Sequence, residues 1–301
     1  MDYQLNVDFA PMYECIQSLT VFLSKQNHTA IDAGKLWVRD VESRFAPVQL
    51  RRMRETMKRM NEFTLAPYIW RCPGDRTVEG FLDWFESLPA GELYELAGTF
   101  DPSVPAGLPE LRTAVCEMIR IWNEGYFGGI DTAILHGLAE DAERKRAELA
   151  HEDAEAVYER ATEGFRILQA DGLKQIVLIP QYHARPLVTS AIYKEYVFTF
   201  YSCDALPPEP GRPEPALLRL TRGLSDETRL QILRLLTREQ MSFTEIVKHI
   251  GLSKSTIHYH LIALRAAGLL VLHMSGKSMS YSLRPEALNR LSEKMNRYLE
   301  S

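Results

Sequence analysis

The stretch Leu252–Leu270, LSKSTIHYHLIALRAAGLL, decides how this chain is read. Ser253 can cap a helix that begins at Lys254, and Gly268 ends it, so a helix is expected from Lys254 to Ala267. Ile257, Leu261 and Leu264 recur at i, i+4 and i+7, and their shared face is the buried one. The outward surface near the N-terminal end then carries Lys254, Ser255, His258 and Tyr259, with Ile262 one turn further on. His258 and His260 stand two residues apart, so on a helix their rings point about 200° away from each other and cannot hold one ion from the same helix. His260 falls beside Ile257 and Leu264 and is read as a packed, hydrogen-bonded structural residue. A metal site shared between subunits stays geometrically open, but His249 and His273 stand nearby without a Cys, Asp or Glu cluster at ligand spacing, and no metal site is expected.

The segments on either side sharpen this reading. SFTEIVKHIG begins with a capping box, in which the Ser242 hydroxyl and the Glu245 carboxylate satisfy each other's orphan backbone donors, and Gly251 closes it. Only Leu252 separates Gly251 from the cap Ser253, a turn tight enough for a helix-turn-helix. Upstream, Ala216–Leu224 forms a short helix, and Ser225 can cap DETRLQILRLL, with Leu230, Leu233 and Leu236 along one face. Downstream, LLVLHM, the turn Ser275-Gly276-Lys277 and SMSYSL give two strands and a wing. A last helix from Pro285 places Leu288, Leu291, Met295, Tyr298 and Leu299 on one stripe. That stripe either packs within the domain or forms a seam against the same helix of a second subunit.

Charge points the same way. The chain carries a net charge of -5, yet Ala216–Ser301 holds 13 Lys and Arg against 7 Asp and Glu. A basic module on an acidic body often accompanies nucleic-acid binding at one end. An ammonium, hydroxyls, an imidazole and a phenol suit phosphates and base edges in a major groove, and an exposed helix N-terminus attracts phosphate. The plainer alternative is a solvated amphipathic helix. The tight turn before it and the Gly-Lys wing after it favour the groove.

The segments LSDETRLQILRLL, FTEIVKHIGLSKSTIHYHLIALRAAGLL and the wing resemble the winged-helix DNA-binding domain of the arsenic-repressor family, the ArsR/SmtB regulators. The resemblance implies that Lys254–Ala267 is the recognition helix of a dimeric transcription regulator, usually a repressor released by an effector. Lys254, Ser255, His258 and Tyr259 would meet the groove, and Thr256, Arg265 and the wing residue Lys277 would favour the DNA backbone. It also favours the seam reading of Leu288, Leu291, Met295, Tyr298 and Leu299. A two-fold dimer would set two recognition helices about one DNA turn apart, on an inverted-repeat operator in double-stranded DNA. Metal-sensing members carry a cysteine motif in the helix that here reads TEIVKHI, or Asp and His pairs on the last helix. Neither is present, so control by a typical family metal site is not expected.

The rest of the chain is legible only in outline. Ala205–Ala216, ALPPEPGRPEPA, has five prolines in twelve residues and reads as a semi-rigid spacer. Before it, Asp8 can cap a helix carrying Met12, Cys15, Ile16, Leu19, Phe22 and Leu23. Further helices are expected over Gly34–Phe45, Pro47–Phe63, Val78–Leu88 and Leu108–Asn123, and Ala139–Arg160 reads as a solvated helical run. Lys174–Pro180 and Glu195–Ser202 are strands expected to pair. Trp37, Tyr68, Trp70, Trp84, Trp122, Tyr126 and Phe127 either fill a core or line a pocket for a small-molecule effector. The basic run Arg51–Arg59 is either an anion site or a solvated face.

The expected fold class is therefore mainly α. An N-terminal helical domain with a small β-sheet spans 1–204 and serves effector binding or dimerisation, a Pro-rich linker spans 205–215, and a C-terminal winged helix-turn-helix spans 216–301. Cys15, Cys72, Cys116 and Cys203 never form a CxxC pair, and no window approaches the roughly 18 apolar residues of a membrane span. A cytoplasmic homodimer with no membrane partner, no cofactor and no catalytic residue is expected, since no phosphate loop, nucleophile elbow or HExxH occurs. The competing readings are a winged helix that binds protein on a helical scaffold, and an enzyme fused to a DNA-binding tail.

Overall fold

The structure, a computed structural model, describes residues 3–60, 64–100, 104, 106–169, 172–275 and 278–300. In chain order its elements are β1 (Gln4–Val7), α1 (Pro11–Leu23), α2 (Gly34–Glu42), α3 (Pro47–Met60), α4 (Ala66–Arg71), α5 (Val78–Ser87), α6 (Ala90–Phe100), α7 (Leu108–Gly125), α8 (Thr132–Leu149) and α9 (Ala154–Ala161). There follow β2 (Phe165–Gln169), β3 (Gln175–Gln181), β4 (Thr189–Ile192), β5 (Tyr196–Ser202), α10 (Pro215–Leu224), α11 (Glu227–Leu236), β6 (Met241–Ser242), α12 (Phe243–Ile250), α13 (Lys254–Ala266), β7 (Leu270–Ser275), β8 (Ser278–Leu283) and α14 (Glu286–Glu300). They fall into two units, 1–147 with 172–206, and 148–171 with 207–301.

In the first unit the sheet runs β1-β3-β5-β4, with β1, β3 and β5 parallel and β4 antiparallel at the edge. The expected pairing of the two C-terminal strands is present, with Gln175 opposite Tyr196 through Gln181 opposite Ser202. β3 is buried from Ile176 to Gln181, the continuous apolar run of a strand covered on both faces. Pro180 sits in it beyond Leu178, the last residue paired with β1, where a missing donor is tolerated. Helix α1 packs on α3, α5, α7 and β3 and buries Met12, Tyr13, Cys15, Ile16, Leu19 and Phe22. The Trp122 ring of α7 lies 4.9 Å from Phe22, and its indole N–H donates to Ser18 Oγ at 3.0 Å. All four cysteines are buried and free.

A buried polar chain fixes this core. Glu14 on α1 accepts the backbone N–H groups of Tyr182 and His183, both at 2.9 Å, and its carboxylate lies 2.6 Å from His183 Nδ1. Trp37 donates to the Tyr126 hydroxyl at 2.8 Å, and the same hydroxyl lies 2.7 Å from His183 Nε2. Burial pushes Tyr126 up to about 12, so the phenol stays protonated across the neutral range.

Several local expectations are corrected. Asp8 does not cap α1, whose N-cap is Ala10; its carboxylate instead grips Arg76 at 2.6 and 2.8 Å and accepts the Tyr13 hydroxyl at 2.8 Å. The helical run over 139–160 is two helices, because Asp153 caps α9 through Ala156 N–H after α8 has ended at Leu149. α4 and α6 were not anticipated, and the expected end of the third helix at Phe63 lies outside the described residues. In the basic run, Arg52 pairs with Glu117 and Arg54 with Glu42, both at 2.6 Å.

The second unit differs from the expected domain in one large respect: residues 148–171 belong to it. Its sheet runs β2-β7-β8-β6, and β2 pairs parallel with β7, Phe165 opposite Leu272 and Arg166 opposite His273. Gly164 opens that strand at φ 101°, and a Cβ there would stand 2.4 Å from the Leu270 carbonyl oxygen. Glu163 ties the same segment to Arg284, which is buried, and at 3.2 Å to Arg290 of α14. The core of the unit gathers Leu220, Ile232, Leu236, Ile246, Ile257 and Leu264 around α13.

Candidate nucleic-acid interface

The local chemistry of α12 and α13 is that of two capped helices joined by a minimal turn. Ser242 accepts from Glu245 N–H at 3.3 Å while Glu245 Oε2 accepts from Ser242 N–H at 2.7 Å. These bonds to the charged form hold the Glu245 carboxyl below its usual range. Gly251 ends α12 at φ 77°, Ser253 caps α13 through Thr256 N–H at 3.2 Å, and only Leu252 lies between them. At the far end, Leu269 N–H donates to the Leu264 carbonyl and Gly268 N–H to that of Arg265, a Schellman closure with Gly268 at φ 64°.

The inward face of α13 is locked. Ile257, Leu261 and Leu264 are at most 2% exposed, and truncating any one to alanine would cost about 2–5 kcal/mol. Lys254, Ser255 and His258 are exposed on the opposite side and Tyr259 is 64% exposed, so the helix offers these four together to solvent. Ile262 extends the surface by one turn, and Phe243 of α12 meets the His258 ring edge-on at 6.3 Å. The Ser255 hydroxyl lies 2.9 Å and the Thr256 hydroxyl 2.7 Å from Ser253 Oγ, so both also brace the cap.

Arg265 is half-buried, with its guanidinium 5.6 Å from the Phe165 ring centroid on β2, and burial lowers its pKa. Lys277 lies outside the described residues. His260 is packed as expected, but among the described residues its Nδ1 finds no hydrogen-bond partner; Asp226 Oδ1 stands at 3.6 Å, too far for one. Asp226, not Ser225, caps α11, accepting Arg229 N–H at 2.9 Å. Leu230 is 48% exposed and Ile232 takes its place in the core. Neither Asp226 nor Phe165 was identified from the sequence as a residue supporting the helix. The one available signal for Phe165 was the alternation of FRILQ, buried at Phe165 and Ile167 and exposed at Arg166.

The stripe on α14 divides. Leu291 packs against the domain core, whereas Leu288 is 44% and Leu299 72% exposed, with Met295 and Tyr298 half-buried between them. Among the described residues no three His, Cys, Asp or Glu side chains gather as metal ligands.

Comparison with known proteins places likeness in this same domain. The family model described as "Bacterial regulatory protein, arsR family" matches residues 226–270. The HTH-type transcriptional regulator CmtR of Mycobacterium tuberculosis is 38% identical over 77 residues, 26% of this chain and 65% of the relative. This chain thus spans just under two thirds of that protein's length. The transcriptional repressor SdpR of Bacillus subtilis is 36% identical over 67 residues, 22% of this chain and 74% of the relative. Among solved structures, an ArsR-like transcriptional regulator from Rhodococcus sp. RHA1 is 32% identical, with a TM-score of 0.26, covering 27% of this chain and 77% of that one.

Proposed function

The chain belongs, through its C-terminal domain, to the arsR family of bacterial regulatory proteins, and from that premise we propose that it is a sequence-specific DNA-binding transcription regulator working as a cytoplasmic homodimer. The observation that carries the reading is the division of α13: an apolar face fixed in the core, and Lys254, Ser255, His258 and Tyr259 presented together from its first turns. A rigidly held helix with an exposed N-terminal end can enter a major groove, with its backbone donors and Lys254 toward phosphate and His258 and Tyr259 toward base edges. Thr256 supports the cap, and it and Lys277 are assigned to the DNA backbone.

Leu288, Met295, Tyr298 and Leu299 supply the seam with a second copy, with Leu291 beneath them. Two recognition helices about 34 Å apart then read an inverted repeat. Repression is the proposed mode, as in the relative named a transcriptional repressor. The first unit is where a signal enters, and no described helix is long and apolar enough to cross a membrane. Selection of bound duplexes from a random pool tests the reading: an enriched palindrome with half-sites about 10 base pairs apart is expected. No enrichment over input, with the protein folded, would overturn it.

A further inference from the structure

A cavity of about 230 Å³ opens in the first unit between α1, α3, the start of α4, the segment after β3, and β4. Its floor is Phe200 on β5, and Met57 and Met60, one turn apart on α3, form a wall that can adapt its shape to what it holds. None of the sixteen described residues that line it is charged, in a chain of which 25% of residues are. An ion placed there would lose part of its hydration and find no counter-charge on these walls, which disfavours a charged guest. The volume exceeds the ~150 Å³ that admits benzene and falls below the ~300 Å³ of drug-sized pockets. A single ring or a short branched chain matches it.

Six lining residues are polar, Gln17, Thr20, Asn27, Thr64, Thr189 and Ser190, and they differ in availability; the Asn27 amide donates to Ser24 Oγ at 3.2 Å. The Thr64 hydroxyl lies 2.8 Å from the Tyr193 hydroxyl and Ser190 Oγ 3.2 Å from Thr199 Oγ1, so both are engaged. Gln17 is half-buried on α1 and its amide bonds to no described residue, which leaves its NH2 group and its carbonyl oxygen to orient a guest. Thr20, one turn on, is exposed at the rim. None of the seven aromatic residues singled out from the sequence lines this space; Tyr68, Trp122 and Phe127 are buried in the core and the other four pack against it.

We infer that this cavity binds a small, uncharged, mainly apolar organic molecule carrying one hydrogen-bonding group, and that this is the ligand to which the chain responds. The response, though not the binding, rests on the regulator reading above. The test uses the full chain and saturation-transfer NMR with toluene, benzyl alcohol, cyclohexanol and indole, beside benzoate and benzylamine as charged counterparts. At least one uncharged probe is expected to bind saturably, the charged pair not at all, and Ala191→Trp, which fills the cavity from β4, to weaken binding tenfold or more. If that variant fails to fold, Thr20→Arg at the exposed rim is expected to give the same loss. Absence of saturable binding by all four uncharged probes, equal binding of the charged pair, or unchanged binding in the folded variant overturns the inference. Duplex affinity measured on the same samples separates the two claims. Probe binding without duplex affinity leaves the cavity and removes the regulator, and duplex affinity without probe binding does the reverse.

Discussion

Arg265, near the C-terminal end of α13, holds its guanidinium 5.6 Å from the ring centroid of Phe165, a residue on β2 that the chain lays down a hundred positions earlier. Through this contact the helix assigned to the DNA groove rests on a strand that a linear reading would leave in the other domain. Tyr158 of α9 and Tyr281 of β8 lie near enough to act on the same guanidinium, and among the described residues no carboxylate pairs with it. A half-buried cation without an acid partner is in part a packing element, held at some electrostatic cost.

Arg265→Met should therefore leave the salt dependence of duplex binding unchanged, because no phosphate contact is lost, and should leave stability equal or slightly higher. Titrations over a range of salt concentrations check the first part and a urea midpoint the second. A salt slope reduced by about one would return Arg265 to the DNA backbone.

Phe165→Ala should cost the second unit about 3–5 kcal/mol, since the ring is 8% exposed and supports both Arg265 and the β2–β7 ladder. Hydrogen exchange localises the effect: faster exchange is expected in β7 and α13. Exchange that quickens only in the first unit would place residues 148–171 with the wrong partner.

On α14 the exposed pair Leu288 and Leu299 is assigned to the dimer seam. Leu288→Asp combined with Leu299→Asp should convert a dimer to a monomer in sedimentation velocity while the circular dichroism spectrum is kept. A dimer that survives both changes places the seam elsewhere.

Burial, then the neighbouring Arg166, pushes the buried His273 imidazole below its usual range, and its Nε2 lies 2.8 Å from Ser282 Oγ. The folded state thus resists protonation, and between the depressed value and about 6.5 the unfolded chain binds more protons, so stability rises with pH across that window. It is lost as pH falls through 6.5. Urea midpoints between pH 7.5 and 5 should fall less steeply in His273→Asn than in the parent chain. Parallel profiles would contradict this.

The winged helix was legible because its signals are local. Ser242 with Glu245, Gly251, Ser253 and Gly268 each fix a helix end within a few residues, and Ile257, Leu261 and Leu264 show the buried face by spacing alone. Strand β2 was not, because FRILQ is too short for its alternation to stand out after a Glu-rich helix, and its partner β7 is distant in sequence. Asp8 illustrates a different limit. A carboxylate three residues before a helix looks like a cap, and only the fold brings Arg76 to it. The cavity wall is invisible for a related reason: its uncharged lining comes from separate elements, and the conspicuous aromatic residues lie in the core or pack against it.

The most direct test of the account compares Tyr259→Ala with the parent chain in anisotropy titrations on a selected operator and on a scrambled duplex of the same length. Tyr259 is 64% exposed, so its removal should leave the fold intact. The account predicts that affinity for the operator falls by about 1–3 kcal/mol while affinity for the scrambled duplex barely changes, the signature of a lost base contact. Equal losses on both duplexes would contradict it.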